Sequence, residues 1–197
     1  MPATPPRRIL VLDGHPSADS FSAALARAYA QGAKQAGHAV TQVHLASLSF
    51  DPHLGAGYGT APPLEPDLLE LQSHMTHADH WVLSYPVWWG SVPARLKGLL
   101  DRVLLPGFAF RYTRGQAVPE RLLRGRSARL LVTLDTPGWY HRWVQGAPAH
   151  RMMRDAVLGF CGLAPVRIRS HAPVLHSSPQ QRQAWLAAAE ALGRSGR

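Results

Sequence analysis

Two adjacent tryptophans at the end of an apolar segment are the residues best suited to hold a ligand. Trp88 and Trp89 stand between Pro86 and Gly90, directly after a predicted strand. Neighbouring residues of a strand point to opposite faces, so one indole of the pair must face outward. Indole offers a large flat surface for a flat heteroaromatic ligand. Packing of both rings beneath loops is the alternative.

A loop rich in small hydroxyl residues precedes a predicted helix. Residues 14–22 read GHPSADSFS, and apolar residues then recur at helical spacing. The first turn of a helix exposes unpaired N–H groups and the positive end of the helix dipole, which favours anions. His15, Ser17, Ser20 and Ser22 add donors around a gap the size of a phosphate. The alternative is that Ser20 only caps the helix.

A third loop combines small polar residues with aromatic ones. Residues 133–141 read TLDTPGWYH. Tyr140, His141 and His150 are able to donate protons or hydrogen bonds in a cleft. The chain has 11 histidines, and a lone histidine is more often a structural or surface residue. Tyr140 is the strongest candidate of the three because it follows the end of a strand.

Alternating strands and helices must position these loops. Strands are predicted at 8–12, 39–45, 81–85, 129–134 and 165–170, and helices at 20–35, 66–78, 93–105, 147–160 and 179–192. Apolar strands separated by helices imply a parallel sheet covered on both faces. We therefore predict an α/β fold, a flavodoxin-like three-layer sandwich with a five-stranded parallel sheet, as one domain over residues 1–197. Ligands of such sheets bind outside the carboxyl ends of the strands.

Composition narrows the class of protein. The net charge is +9, but the basic residues are scattered, and Lys34 and Lys97 are the only lysines among 21 basic residues. A nucleic-acid footprint would cluster its charge, so no nucleic-acid partner is expected. No apolar run approaches the roughly 18–20 residues that cross a bilayer, and no secretion signal is recognisable. We expect a soluble, cytoplasmic protein.

Several other chemistries lack their residues. The single cysteine, Cys161, excludes a disulfide framework and a cysteine-rich zinc site, and no metal is expected. The glycine-rich fingerprints of dinucleotide and P-loop sites, the GxSxG elbow and the HExxH motif are absent. An anion-binding loop, an aromatic loop and a polar loop at one sheet edge suit a ligand with a phosphate tail and a flat ring, which indicates a flavin.

At these residues the chain resembles the NAD(P)H:quinone oxidoreductase family of flavodoxin-like flavoproteins. The likeness runs roughly from Ile9 to Gly162 and is carried by GHP…SFS, PVWWGSVPARLKGLLDRV, GFAFRY, TLDTPGWY and GFCG. The resemblance implies FMN, favoured over FAD, with NAD(P)H as co-substrate. Hydride would pass from NAD(P)H to flavin N5 and then to a quinone or similar flat acceptor. It also implies a homodimer with active sites at the interface.

The resemblance assigns roles to individual residues. The cofactor-binding residues would be His15, Ser20, Phe21, Ser22, Pro86, Val87, Trp88, Trp89, Gly90, Thr133, Leu134, Asp135, Thr136 and Tyr140. Tyr140 and His150 are the expected catalytic residues. Substrate would be bound by an aromatic lip that one subunit lends to its partner, Phe110, Arg111 and Tyr112.

Several of these residues depart from the family's usual pattern. Relatives often carry Gln-Trp-Phe where this chain has Trp88-Trp89-Gly90, and commonly Thr-Thr-Gly-Gly where it has Thr133-Leu134-Asp135-Thr136. Ser22 replaces an asparagine, Phe110 replaces a tyrosine, and Asp135 places a carboxylate where a glycine is common, near the O2 side of the flavin ring.

Two other functions remain open from the sequence. Similar proteins serve as flavin-bound cytoplasmic regulatory subunits of potassium-efflux systems, and turnover of NAD(P)H with menadione would distinguish an enzyme from such a subunit. A flavin-free interaction domain is the third possibility, and it predicts a colourless protein.

Overall fold

The fold is given by a computed structural model, which describes residues 5–197. Its strands are β1 (Arg8–Asp13), β2 (Ala39–His44), β3 (His80–Pro86), β4 (Phe110–Arg111), β5 (Glu120–Arg121), β6 (Ser127–Thr133) and β7 (Val166–His171). Its helices are α1 (Phe21–Gln35), α2 (Pro66–His77), α3 (Ala94–Val103), α4 (Pro148–Arg151, continued by π-helical turns over Met152–Gly159) and α5 (Pro179–Ser195).

The main sheet is five-stranded and parallel. Its strand order is β2-β1-β3-β6-β7, and each neighbouring pair runs parallel. The strand order reverses between β1 and β3. This reversal makes the carboxyl ends of β1 and β3 the topological switch point, where ligands of such sheets bind. The predicted α/β class and flavodoxin-like sandwich are confirmed.

Alternation along the strands divides the core into two layers. Leu10 and Leu12 of β1 join the cluster that packs against α2, α3 and α4. Ile9 and Val11 point to the other face and join the cluster formed with α1 and α5. Because both faces are covered, the strands are apolar at consecutive positions, which is the pattern that predicted them.

Helices α1 and α5 approach each other through glycines. A Cβ atom at Gly32 would lie 2.0 Å from the carbonyl oxygen of Glu190, and one at Gly193 would lie 2.0 Å from that of Tyr29. No side chain fits at these distances, so the two glycines let the helix backbones meet. This contact holds α1, whose first turn faces the candidate site.

Three features were not predicted. Strands β4 and β5 form a separate two-stranded antiparallel sheet, which is too short for its pattern to stand out in sequence. The segment Tyr140–Val144 is a π-helical turn. The third is the way in which the Gly- and Pro-rich loop at 51–65 is held: Arg102 is fully buried, and its guanidinium donates to the carbonyls of Asp51 and Pro63 and pairs with Glu65.

No helix within residues 5–197 combines the length and apolarity needed to cross a bilayer. The same residues contain no group of three His, Cys, Asp or Glu side chains placed to hold a metal ion.

Candidate functional site

A cavity of about 210 Å³ opens at the carboxyl ends of β1, β3 and β6. It is lined by His15, Ser20, Phe21, Ser22, Pro86, Val87, Trp88, Thr133, Leu134, Asp135 and Val174. Ten of these eleven lining residues are among those that the sequence singled out. The structure therefore brings together the three loops that sequence reasoning placed at one edge of the sheet.

The first turn of α1 forms the anion-binding end of this cavity. Ser20 caps the helix, because its hydroxyl accepts from the backbone N–H of Ala23 at 3.0 Å. The N–H groups of Phe21 and Ser22 lie in the first turn, where no intrahelical acceptor exists. The two interpretations of this loop, a helix cap at Ser20 and an anion-binding site, are thus compatible. The Ser20 hydroxyl accepts at the cap while neighbouring N–H groups remain available to an anion.

A buried carboxylate sets the path of the first loop. Asp13 ends β1, and its carboxylate accepts from the backbone N–H of His15 at 3.2 Å and lies 3.4 Å from His44 Nδ1. Burial raises the pKa of Asp13, against the opposing effects of the His15 and His44 contacts. The ring of His15 then accepts from the N–H of Ser17 at 2.9 Å. Sequence reasoning did not assign Asp13 a role, although an acidic residue at the end of an apolar strand was the available signal.

Two further hydrogen bonds join the floor of the cavity. The hydroxyl groups of Ser22 and Thr133 lie 2.8 Å apart and are buried. The Ser84 hydroxyl donates to the carbonyl of Ser22 at 2.7 Å. Through these bonds the start of α1 is fixed to the ends of β3 and β6.

The tryptophan pair occupies a tight turn. The backbone groups of Trp88 and Ser91 exchange two hydrogen bonds of 2.9 Å, and the two residues between them have positive φ, 51° for Trp89 and 71° for Gly90. That combination belongs to a type I′ turn. Positive φ is costly for a bulky residue such as tryptophan.

The two indoles have different surroundings. Trp88 lines the cavity and meets the ring of His15 edge-on at 5.6 Å. Trp89 is fully exposed and its side chain does not line the cavity. We expected both indoles to flank a ligand. Within one chain, only Trp88 lies at the cavity. The turn directs the Trp89 side chain to solvent.

Two further residues that the sequence predicts to bind the cofactor lie outside the cavity. Gly90 and Thr136 do not line the cavity. Within residues 5–197, no hydrogen bond occupies the backbone N–H groups of Trp89, Gly90, Asp135 or Thr136.

A fourth loop also reaches the site, and sequence reasoning missed it. The residues after β7 contribute Val174 to the lining. The carboxylate of Asp135 accepts from the backbone N–H of Leu175 at 2.6 Å, and the N–H of Val174 donates to the carbonyl of Leu134. The Asp135 carboxylate thus holds the fourth loop in place. A lone valine in a short loop carries no signal that would have revealed it.

The two predicted catalytic residues lie outside this cavity. Tyr140 begins the π-helical turn after the third loop, is 40% exposed and meets Trp139 edge-on at 5.6 Å. His150 lines a different cavity, where its Nε2 atom lies 3.3 Å from the Ser170 hydroxyl. Burial chiefly, and then nearby His141 and Arg154, lower the pKa of His150 to about 4. The structure does not bring His150 to the lining of the candidate site.

The predicted substrate lip lies in a third place. Phe110 and Tyr112 line a cavity of about 270 Å³ beside α3 and the π-helical turns that follow α4. Their rings meet edge-on at 5.5 Å, and Tyr58 of the 51–65 loop meets Phe110 at 6.1 Å. Arg111 lies 3.5 Å from Glu120 across the β4–β5 pair. Within one chain these residues do not line the cavity at the sheet edge.

The described atoms fit a flavin mononucleotide. First-turn N–H groups of α1 suit its phosphate, the half-exposed Trp88 indole suits a flat ring, and the free N–H groups of the second and third loops suit the oxygen and nitrogen atoms at the ring's edge. The volume of about 210 Å³ is below the roughly 300–1,000 Å³ of complete ligand sites. The cavity formed by the described residues is therefore smaller than a complete ligand site.

Comparison with known proteins gives related sequences along the whole fold. The family model described as flavodoxin-like fold matches residues 7–193. Rat NAD(P)H dehydrogenase (quinone) 1 is 25% identical over 89% of this chain and 72% of its own length. The FMN-dependent NADH:quinone oxidoreductase of Methylobacterium radiotolerans is 35% identical over 47% of this chain and 45% of its own. The crystal structure of Smu.1420 from Streptococcus mutans superposes with a TM-score of 0.83 at 27% identity, covering 95% of this chain and 98% of the other.

Proposed function

The chain belongs to the flavodoxin-like fold family, and we propose that it is a flavin-dependent NAD(P)H:quinone oxidoreductase within that family. The resemblance to NAD(P)H:quinone oxidoreductases, expected from the sequence, is confirmed by the relatives of this chain. The observation that carries the proposal is the cavity at the sheet edge. It combines a helix first turn, an exposed indole and unpaired backbone N–H groups.

FMN is the cofactor that we assign to this site, with NAD(P)H as the electron donor. When bound, FMN accepts hydride at its ring and passes it on to a second substrate, so the protein has to supply position and electrostatics. Phe21 and Ser22 would hold the phosphate through their N–H groups, with the positive end of α1 behind them. Trp88 would support the ring.

Backbone donors would stabilise negative charge that develops on the ring. The N–H groups of Asp135 and Thr136 are free to face it, while the Asp135 carboxylate is held by Leu175. Fixed dipoles of this kind need no rearrangement during reaction. Tyr140, on the turn beyond the third loop, is the residue that we propose to donate a hydrogen bond to the reacting substrate.

NAD(P)H and the acceptor would use the same position in turn, because the cavity is small and open. A flat nicotinamide and a flat quinone would each stack on the exposed face of the flavin, so the donor product must leave before the acceptor enters. Exchange kinetics of this two-step type give parallel lines in double-reciprocal plots.

We propose that the active unit is a homodimer. The cavity of one chain is too small for a complete site, and the second and third loops and the turn that follows carry exposed aromatic side chains, namely Trp89, Trp139 and Trp143. Exposed apolar surface of this kind marks interaction surfaces. Phe110, Arg111 and Tyr112 of one subunit would then complete the substrate cavity of its partner.

The protein would act on NAD(P)H supplied in the cytoplasm, as one domain. Neither relative described above is named as a transport subunit, so no observation favours the regulatory alternative.

Spectroscopy and turnover test the proposal directly. The purified protein should be yellow, release a chromophore with the mass of FMN, and oxidise NADH or NADPH with menadione. Light scattering should give twice the mass of the chain. A colourless protein that neither binds FMN nor FAD would overturn the proposal, and a flavin-loaded protein without turnover would return the regulatory alternative.

A further inference from the structure

A second cavity of about 400 Å³ lies between the edge strand β7, the turn at 138–142 and α4. We call it the arginine cavity. Its lining includes three arginines, Arg142, Arg151 and Arg154, and two histidines, His141 and His150. The cavity adjoins the candidate flavin site, because Leu134 lines both.

The two histidines form the inner wall, and one of their ring nitrogens has no hydrogen-bond partner among the described residues. His141 is 2% exposed, its Nδ1 atom lies 3.2 Å from Gln145 Oε1, and its Nε2 atom is buried without a partner among the described residues. The rings of His141 and His150 meet edge-on at 4.8 Å. A buried polar atom without a partner is uncommon in folded proteins and calls for a ligand or an ordered water.

The arginines bring more positive charge than the chain neutralises. Arg154 is paired with Asp155 through two hydrogen bonds of 2.8 and 2.9 Å. Arg142 lies over the ring of Trp143, with its guanidinium carbon 5.1 Å from the ring centroid. Neither Arg142 nor Arg151 forms an ion pair with any residue in 5–197. Arg154 first, and then Arg151, lower the pKa of Asp155, so three arginines share one carboxylate and the cavity keeps an excess of positive charge.

We propose that the arginine cavity binds a phosphomonoester dianion. Guanidinium groups bind the oxygens of such an anion in pairs, and the lining of this cavity supplies three of them. A carboxylate carries one charge on two oxygens and would leave more of these donors unused. The two negative charges of the dianion match the excess that three arginines and one carboxylate leave at this cavity.

The 2′-phosphate of NADPH is the source that the position favours. The cavity shares Leu134 with the flavin site, and Gly138 in its lining belongs to the turn that leads to Tyr140. A dinucleotide stacked on the flavin could reach from one cavity to the other. This assignment rests on the proposed oxidoreductase function, whereas the anion site itself does not.

Titration calorimetry on the FMN-saturated homodimer tests the site without relying on turnover. FMN saturation keeps the probes away from the first turn of α1. The probes are 2′-AMP, 5′-AMP and inorganic phosphate, titrated into the unaltered protein, the R142Q/R151Q double variant and the control R167Q. Arg167 is exposed on the same strand, β7, but lines a cavity at the opposite end of the sheet, so R167Q tests the loss of a positive charge away from the arginine cavity.

Binding of 2′-AMP should weaken at least tenfold in R142Q/R151Q and stay within twofold in R167Q. The KM for NADPH should rise by a similar factor, with the KM for NADH and the kcat unchanged. If the protein binds inorganic phosphate but not 2′-AMP, the dianion site is retained and its ligand is free phosphate. Anion binding without any NAD(P)H turnover would overturn the proposed function and leave the site standing.

Two results would overturn the site itself. One is the absence of heat with both 2′-AMP and phosphate. The other is an equal loss of binding in R142Q/R151Q and R167Q, since that would assign the effect to net charge. The unchanged flavin absorbance of each variant verifies that it is folded and loaded.

Discussion

The hydroxyl groups of Ser22 and Thr133 lie 2.8 Å apart in a buried contact between the start of α1 and the end of β6. Each residue lines the candidate flavin cavity. The bond therefore fixes the distance between the helix turn that would hold the phosphate and the strand end that would lie near the ring. The Ser22 hydroxyl serves here to join the two elements.

Substituting Ser22→Ala should destabilise the fold by about 1–3 kcal/mol, because it leaves the Thr133 hydroxyl buried without its partner. FMN affinity should fall as well. Urea unfolding and FMN titration measure the two effects. In a double-mutant cycle with Thr133→Val the two substitutions should be less than additive, and strict additivity would contradict a direct bond between these hydroxyls.

The two tryptophans should differ in their effect on the cofactor. Trp88→Ala should weaken FMN binding about tenfold, since it removes the indole that lines the cavity. Trp89→Gly should leave FMN binding by each chain nearly unchanged and leave stability equal or higher, because glycine adopts the φ of 51° without strain. Fluorescence titration of FMN compares them, and an equal loss in both variants would show that Trp89 also contacts the ring.

The strands and helices could be predicted from sequence because burial on both faces leaves a strong pattern. The run Trp81–Tyr85 is apolar or aromatic at four of its five positions, and the structure buries all of β3. The loops that follow these strands were found from residue type, since small hydroxyl residues and paired indoles are unusual there. Ser22, Trp88 and Thr133 therefore appear at the cavity as predicted.

The remainder depends on geometry that one sequence does not encode locally. The outward turn of Trp89 follows from two successive positive φ angles. Val174 enters the site because Asp135 binds the backbone of Leu175. The placement of Phe110 and Tyr112 in another cavity follows from the small β4–β5 sheet. The Asp135–Leu175 contact joins segments 40 residues apart, whereas the turn at Trp89 is local but places a bulky residue at a positive φ that such residues rarely adopt.

The contact between α1 and α5 should not tolerate a side chain at Gly193. Gly193→Ala places a Cβ atom 2.0 Å from the Tyr29 carbonyl oxygen and 2.9 Å from the Ala33 nitrogen, so the helices must separate. We expect a loss of about 1–3 kcal/mol in the free energy of unfolding. Gly59→Ala is the control, since its Cβ atom meets nothing within 4 Å. A thermal melt in which both variants shift alike would contradict the close approach.

Arg102 should be essential to the loop at 51–65. Its guanidinium is fully buried and binds Glu65 at 2.9 Å and the Asp51 carbonyl at 2.6 Å. Arg102→Met leaves the Asp51 carbonyl and the partly exposed Glu65 carboxylate without their donor, which we expect to cost about 1–3 kcal/mol in unfolding free energy. Limited proteolysis should then cut within 51–65.

The exposed pair of Lys97 and Asp101 provides the matched control for Arg102. These side chains lie 2.7 Å apart one turn along α3 and are both partly exposed. Lys97→Met should cost less than about 1 kcal/mol, as exposed pairs do. If both variants lose equal stability in urea, burial is not what makes the Arg102 pair important.

His171 should make the fold sensitive to acid. Its ring is buried against Trp185 at a centroid distance of 5.4 Å, and both ring nitrogens lack a partner among the described residues. Burial first, and then Arg169, lower the pKa of His171 to about 4. The histidine of the unfolded chain has an ordinary pKa of about 6.5, so between about pH 6.5 and pH 4 it binds a proton that the folded chain does not bind. The free energy of unfolding therefore falls as the pH drops from about 6.5 to 4, by up to about 1.4 kcal/mol per pH unit.

His171→Phe should remove this share of the acid sensitivity, because phenylalanine keeps a planar ring without a titratable nitrogen. Urea unfolding at pH 5 and pH 7.5 should show a larger gain in stability at the lower pH. Some sensitivity should remain, because burial also lowers the pKa of His80 to about 3. His176→Phe, at an exposed position on the following loop, is the matched substitution. An unchanged pH slope in His171→Phe, or an equal change in His176→Phe, would show that the buried ring of His171 is not the group that titrates.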